Sequence, residues 1–455
     1  LREADDIDSG RNGVGRIRYR TRPVRAERIL VSGARLVDLA RGLDREADLY
    51  LADGRIVGIG TAPGATRFEA DQQIDGKGLL LCPGLFDLAA RVREPGNAYR
   101  ANLASELHAA VAGGVTAIVC PPDTDPPLDE PGLIEMLRDR ARQQSLARLY
   151  PLGALTVGLT GTSLVEMVEL ADAGCIGFSQ ANEPIADTEI LLRAMQYAKT
   201  FDFAVWLHPQ DPHLGRGGVA HRGAVATRLG LPGIPVLAET VAVNTIVELV
   251  RATGCRVHLC RLSSAEGIDR LRRARAEGLP ITADVAVHHL HLIDVDIGFF
   301  DPLLRVQPPF RSQRDRDAIR AALADGTIDA ICSDHTPVDD DSKLQPFGEA
   351  EPGATALELL LPLTLKWAAE ERIAVARALD RVTAKAAAIA GVDSAGVSVG
   401  APADLCLVDP GHPWVVDDHS LSSQGRNTPY HGRELVARAV LTLIEGRIVH
   451  DARRR

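Results

Sequence analysis

The stretch Pro83-Gly-Leu-Phe-Asp-Leu-Ala-Ala-Arg-Val-Arg-Glu-Pro-Gly96 divides the chain into two patterns. Before it, Arg28-Ile-Leu-Val-Ser, Ala34-Arg-Leu-Val-Asp, Asp48-Leu-Tyr-Leu and Arg55-Ile-Val-Gly-Ile-Gly read as short strands split by Gly and Asp turns. A matching β segment returns near the other end in Ala403-Asp-Leu-Cys-Leu-Val-Asp, Leu435-Val-Ala-Arg-Ala-Val-Leu-Thr-Leu-Ile and Arg447-Ile-Val-His. The two ends are therefore expected to pair as one small composite β-sandwich domain, 28–83 with 397–451. Residues 1–27 are polar and Arg-rich with little apolar periodicity. They read as a flexible arm, either a disordered tail or a segment that contacts a partner.

After the dividing stretch, strand and helix alternate. Thr116-Ala-Ile-Val-Cys, Phe203-Ala-Val-Trp-Leu-His, Arg256-Val-His-Leu-Cys-Arg, Ile281-Thr-Ala-Asp-Val and Ile328-Asp-Ala-Ile-Cys-Ser-Asp are apolar strand runs. Amphipathic helices such as Asn244 to Ala252 and Glu266 to Glu277 lie between them. Alternation of this kind predicts a parallel sheet in an α/β fold. About eight such units fit between residues 84 and 396, which suits a closed (β/α)8 TIM-type barrel. A doubly wound open sheet is the alternative, but no Gly-rich phosphate fingerprint supports it.

The chain has 455 residues, 45% of them hydrophobic, which is ample for a large core. Its formal net charge of −10 argues against nucleic-acid binding. No apolar run approaches the ~20 residues of a membrane span, and no signal-peptide pattern opens the sequence, so a cytoplasmic location is expected. Cysteines 82, 120, 175, 255, 260, 332 and 406 are scattered without C-x-x-C spacing. They read as small buried thiols of a reducing compartment.

Further segments carry a resemblance. They include Ala112-Gly-Gly-Val-Thr116, Cys120-Pro-Pro-Asp-Thr-Asp-Pro-Pro127, Gly174-Cys-Ile-Gly-Phe-Ser179, Arg305-Val-Gln-Pro-Pro-Phe-Arg311, Ser333-Asp-His-Thr-Pro337, Gly400-Ala-Pro-Ala-Asp404 and Arg426-Asn-Thr-Pro429. In this order, with the dividing stretch, they resemble the dihydroorotase branch of the amidohydrolase superfamily over roughly residues 28–450. The family's first-strand signature reads Pro-Gly-x-x-Asp-x-His-x-His-x-Arg-x-Pro-Gly, and its two histidines bind zinc.

The resemblance implies a zinc hydrolase, but most metal-site positions hold other residues. Ala89 and Arg91 occupy the two first-strand histidine positions. A methyl group cannot ligate zinc, and a guanidinium stays protonated and repels it. After the fourth strand, where the family has an Asp pair or a bridging carboxylated lysine, the chain has Gln180 and Ala181. His208 keeps the strand-five histidine, Arg261 replaces the strand-six histidine, and Asp334 keeps the strand-eight aspartate, the family's metal ligand and general base. Two ligands facing two arginines fall short of the three plus a water that a catalytic zinc requires. The zinc site is expected to be lost and no cofactor is expected. A charged Asp334 left unpaired at the barrel mouth would be costly, so Arg91, Arg261 or both are expected to bridge it in place of the metal.

By the same resemblance, Arg93 matches the arginine that grips a substrate carboxylate and His335 keeps its family position. Asp123 and Gln307 stand where the family has asparagines; Asp123 would repel an anionic substrate. Of the other histidines, His258, His288 and His289 read as core or pocket wall, and His213 and His221 as loop residues. Asp339-Asp-Asp-Ser342 reads as a solvated acidic loop.

A dihydroorotase-like chain without its metal site resembles the non-catalytic chains that hold aspartate transcarbamoylase trimers together in some bacteria. The resemblance implies an assembly subunit in pyrimidine biosynthesis, a homodimer partnered by the transcarbamoylase catalytic chain. Two other readings stay open: a degenerate but active cyclic amidase with one metal on His208 and Asp334, and a small-molecule sensor using the vestigial pocket.

Overall fold

The computed structural model describes residues 27–64 and 68–454, so the expected arm at 1–27 lies almost wholly outside the described residues. The chain starts with β1 (Ile29–Asp38), β2 (Leu43–Ala52), β3 (Arg55–Ile59), β4 (Gln72–Asp75) and β5 (Leu80–Pro83). The barrel strands follow: β6 (Leu85–Asp87), β7 (Val115–Cys120), β8 (Arg148–Pro151), β9 (Gly153–Ala154), β10 (Phe178–Ser179) and β11 (Ala204–Leu207). A small parallel pair, β12 (Ala220–His221) and β13 (Gly233–Ile234), stands apart. Then come β14 (Arg256–Leu259), β15 (Ile281–Ala286) and β16 (Ala330–Cys332), and the chain returns through β17 (Leu405–Val415), β18 (Glu434–Ile444) and β19 (Arg447–Asp451).

The fold class is the expected one. Strands β6-β7-β8 form one parallel run, and β9-β10-β11-β14-β15-β16 form another. The runs are continuous in the chain, since β9 follows β8 after Leu152. A parallel bridge between Ala90 and His335 joins the first and last strands and closes the ring. Helices between the strands cover the outside, as a parallel sheet buried on both faces requires. β7 shows the consequence: all of Val-Thr-Ala-Ile-Val-Cys is buried. Local signals set the helix ends. Asn102 caps the helix Leu103–Ala112 by accepting from Ser105 N, and Ser312 caps Gln313–Asp325, which stops at Gly326 with φ +89.

The two chain ends build one sheet in the order β19-β18-β17-β5-β1-β2-β3, with β4 beside β1. It folds as a small β-sandwich around Ile29, Val31, Leu36, Leu49, Leu405, Leu407 and Leu441, a core separate from that of the barrel. Arg148, at the start of β8, ties the two bodies together: Nη1 pairs with Asp404 Oδ2 at 2.6 Å and Nη2 with Glu445 Oε1 at 3.0 Å.

Two local expectations need correction. Asp339-Asp-Asp-Ser342 is not simply a loop: Asp339 caps a short helix, Asp340–Lys343, by accepting from Ser342 N at 2.9 Å. An Asp before a short turn satisfies a free helical N–H, which competes with solvation. His221 is likewise not on an open loop. It is buried in β12, with Arg311 Nη1 3.4 Å from its Nδ1. Among the described residues no helix is long and apolar enough to cross a membrane.

Candidate functional site

The site lies where the barrel strands end. The chain leaving β6 is held on both sides: Ala90 N donates to Val119 O at 3.0 Å, Arg91 N to His335 O at 2.9 Å, and His335 N to Ala89 O at 3.0 Å. Beneath it, Asp87 accepts from Ser333 N at 2.7 Å and from the Ser333 hydroxyl. Burial pushes the Asp87 carboxyl up to about 6, and the Ser333 bonds oppose that rise. These contacts fix where Ala89, Arg91 and Asp334 stand relative to one another.

Arg91 and Arg261 converge on Asp334. Arg261 Nη1 lies 2.9 Å from Asp334 Oδ1, and Arg91 Nη1 lies 3.3 Å from the same oxygen. Both arginines are 4% exposed and Asp334 is 7% exposed, so the cluster is buried. Each guanidinium has further partners. Arg91 Nε donates to Asp123 Oδ2 at 2.7 Å and Nη1 to Thr336 Oγ1 at 3.0 Å. Arg261 Nη2 donates to Asn182 Oδ1 at 2.6 Å. Burial alone would favour neutral guanidines. The carboxylates outweigh it, Asp123 and Asp334 at Arg91 and Asp334 at Arg261, and both pKa values rise. Burial also raises the Asp123 pKa, but Arg91 outweighs it and the carboxyl is held below its ordinary range.

The remaining positions are occupied without reference to a metal. Ala89 presents only a methyl group and is 7% exposed. The Gln180 amide is taken up by the Thr156 hydroxyl at 2.9 Å and by Leu159 O at 2.8 Å. His208 Nδ1 is 3.4 Å from Cys260 O, and its Nε2 makes no hydrogen bond within the described protein. Burial, and then Arg261, hold the His208 pKa well below its usual value, so the ring is neutral.

The substrate-side positions are similarly engaged. Arg93 Nε donates to Pro337 O at 2.7 Å, and Nη2 stands 3.9 Å from Glu351. Burial, with Arg91 nearby, lowers its pKa to about 10. His335 Nδ1 accepts from Ala356 N at 3.1 Å, which leaves its Nε2–H to donate to Glu106 Oε2 at 2.6 Å. Gln307 is half-buried, and among the described residues its side chain makes no hydrogen bond to the cluster.

Sequence reading misassigned one member of the network and left two unnoticed. It took Asp123 for a group that repels a substrate, whereas Asp123 is the strongest partner of Arg91. Asn182 and Thr336 carried no signal beyond being polar next to ligand positions. Four site residues, Arg93, Ala181, Arg261 and Asp334, have φ of +57, +50, +57 and +49. Side chains other than glycine disfavour this region by about 1–2 kcal/mol each, so the backbone here is under strain. Strain of this kind clusters at functional sites.

The donor set does not suit zinc. A metal at Asp334 would meet two buried guanidiniums, and the other ligand positions hold a methyl group, a committed amide and a single imidazole, His208, short of the three protein ligands a catalytic zinc takes. Among the described residues no group of three or more His, Cys, Asp or Glu side chains stands close enough to hold a metal ion.

Comparison with known proteins places the chain in a family. Residues 78–267 match the model of the dihydro-orotase-like family. A dihydroorotase-like protein of Pseudomonas putida is 44% identical over 93% of this chain and 99% of its own length. One from Pseudomonas aeruginosa is 42% identical with the same coverage. A dihydroorotase of a Geobacter species is 36% identical, again over 93% and 99%. Among solved structures, L-hydantoinase (dihydropyrimidinase) from Arthrobacter aurescens superposes with a TM-score of 0.82 at 22% identity, covering 94% of this chain and 96% of that one. Dihydropyrimidinase from Brevibacillus agri gives 0.80 at 19% identity, over 93% and 95%. The structures establish the fold, the identities establish descent, and the chain belongs to the dihydroorotase-like family of amidohydrolases.

Proposed function

We propose that this chain is a non-catalytic dihydroorotase homologue. In this reading it binds no zinc and serves as an assembly subunit that holds aspartate transcarbamoylase catalytic chains together in the cytoplasm. The observation that carries the reading is the Arg91–Asp334–Arg261 cluster. Hydrolysis of a cyclic amide in this fold requires a metal to acidify water and a free aspartate to take its proton. Asp334, the one residue suited to that task, has its Oδ1 bound by two guanidiniums. That oxygen is committed to the two guanidiniums, on the side where a metal ion and its water would have to sit.

What remains, over residues 27–64 and 68–454, is a barrel and sandwich with most of the family's ligand positions replaced. Retention of the whole fold without the metal grip is intelligible if the surface has work to do. The reaction would then belong to the partner, which joins carbamoyl phosphate and aspartate. The names of the relatives are in keeping with this. The two Pseudomonas proteins at 44% and 42% identity are called dihydroorotase-like, whereas the Geobacter protein at 36% is called dihydroorotase.

The test is light scattering on a size-exclusion column, with this chain alone and mixed with the transcarbamoylase chain of the same organism. A homodimer alone and a stoichiometric complex of higher mass are expected. Absence of a complex at micromolar concentration overturns the assembly role. Stoichiometric zinc, or ring opening of dihydroorotate above background, overturns the non-catalytic reading.

A further inference from the structure

The composite sheet has a strand-to-strand seam between the two ends of the chain. Strands β1–β5 come from the start of the chain and β17–β19 from its end; the two sets pair strand to strand where β5 meets β17, and the segment leading into β17 also bridges to β3, with Ile56 N donating to Ala401 O at 2.9 Å. The β5–β17 pairing is short: Leu405 faces Pro83, Cys406 faces Cys82, Leu407 faces Leu81 and Val408 faces Leu80. The two cysteines are thus directly opposite one another on antiparallel strands. Both are 0% exposed and both belong to the core on the barrel side of the sheet, so their side chains share a face. Cys82 Sγ donates to Cys406 O at 3.7 Å. Gly114, with φ +82, backs Cys406: a Cβ there would collide with its Sγ. The opposed register, the shared buried face and the Cys82 Sγ contact to Cys406 O put the two thiols side by side at the seam.

We propose that Cys82 and Cys406 form a latent disulfide site that staples the two ends of the chain when a low-molecular-weight disulfide is present. Directly opposed residues on antiparallel strands have Cα atoms about 4.5–5.5 Å apart, within the roughly 4.4–6.8 Å a disulfide spans. Exchange proceeds in two steps. One thiolate attacks the small disulfide, forming a mixed disulfide and releasing one small thiol. The other protein sulfur then displaces the second small thiol, and the protein S–S bond closes. Two protein thiols are oxidised and one small disulfide is reduced to two thiols. Because both sulfurs are buried, the first step runs through opening of the short seam, so the staple forms slowly in the folded protein and quickly when the seam is loosened. Cys260 and Cys332 offer no comparable pair, since one follows β14, the other ends β16, and β15 lies between.

The test uses the full chain incubated with oxidised glutathione in urea just below the unfolding transition. It is then diluted, and the intact mass and the peptides are measured without reduction. The expected product has lost two hydrogen atoms and yields one cross-linked peptide pair containing Cys82 and Cys406. Its Tm is several degrees higher and falls back after dithiothreitol. Cys406→Ala should give only a glutathione adduct at Cys82; if that variant does not fold, the wild-type peptide map decides. An unchanged mass, persistent glutathione adducts on Cys82 or Cys406, or a cross-link between other cysteines would each overturn the proposal.

Discussion

Arg261 and Asp334 are bound at 2.9 Å in the interior of the barrel mouth, and Arg91 reaches the same carboxylate oxygen at 3.3 Å. One anion thus holds two cations that originate 73 and 243 residues away in sequence. Two like charges tolerate this closeness because each has a second acceptor, Asp123 for Arg91 and Asn182 for Arg261. The cluster ties the last barrel strand to the first and the sixth, as a metal between such positions would.

Removing the shared anion should therefore be expensive. Asp334→Ala leaves Arg261 buried without a carboxylate partner and weakens the hold on Arg91. We expect a loss of about 3 kcal/mol or more in urea unfolding. Asp44→Ala breaks the Arg35–Asp44 pair, whose side chains are 43% and 40% exposed, and should cost under about 1 kcal/mol. Equal effects from the two variants would show that the buried cluster contributes nothing special.

Returning histidines to the arginine positions should not restore catalysis. In Arg91→His with Arg261→His, Ala89 still lacks a ligand atom, and the Gln180 amide is still bound to Thr156 and Leu159. We expect no dihydroorotate ring opening above background even with zinc added. Measurable turnover would mean that fewer ligands suffice here than the usual three.

Stability should depend on pH through Glu358. Its carboxylate accepts from Ser422 N at 2.8 Å and from Ser423 N at 3.2 Å, tying residues 422–423 to the barrel. Burial, with Glu106 close by, pushes its pKa up from 4.5 to about 7, although the backbone donors oppose the rise. Between those values the folded state binds more protons than the unfolded state, so stability falls as pH rises. The contribution is full below about pH 4.5 and is lost as pH passes about 7, amounting to about 3 kcal/mol at most. Glu358→Gln should flatten the unfolding free energy over this window, and an unchanged slope would count against the assignment.

The strained backbone offers a gain. Ala181 sits at φ +50 next to Gln180, where its side chain makes no polar contact to lose. Ala181→Gly should relieve the left-handed strain and raise stability by about 0.5–1 kcal/mol, the relief offset in part by greater freedom of the unfolded chain. A loss of stability on thermal unfolding would show that the methyl packing outweighs the strain.

Much of the architecture was legible before the structure. Runs such as Val115–Cys120 and Arg256–Leu259 between amphipathic helices announce a parallel sheet through local periodicity, and the count of about eight units favours a barrel over an open sheet. The pairing of the chain ends followed from two sets of short strands that had no other partner. The strain at Arg93, Ala181, Arg261 and Asp334 left no trace, because none of these is the glycine that such a conformation usually announces.

By itself, the sequence determined which atoms stand at each strand end: a methyl at Ala89, guanidiniums at Arg91 and Arg261, an imidazole at His208 and a carboxylate at Asp334. Those identities are chemical, and the expectation about metal ligation rests on them without coordinates. Only the tertiary structure decided how the charges are shared: that Asp123 answers Arg91, that Asn182 receives Arg261, and that His335 turns to Glu106. These partners lie 32, 79 and 229 residues apart in the chain. A hydrogen bond depends on distance and angle within a few tenths of an ångström, and no local pattern encodes that across separate strands.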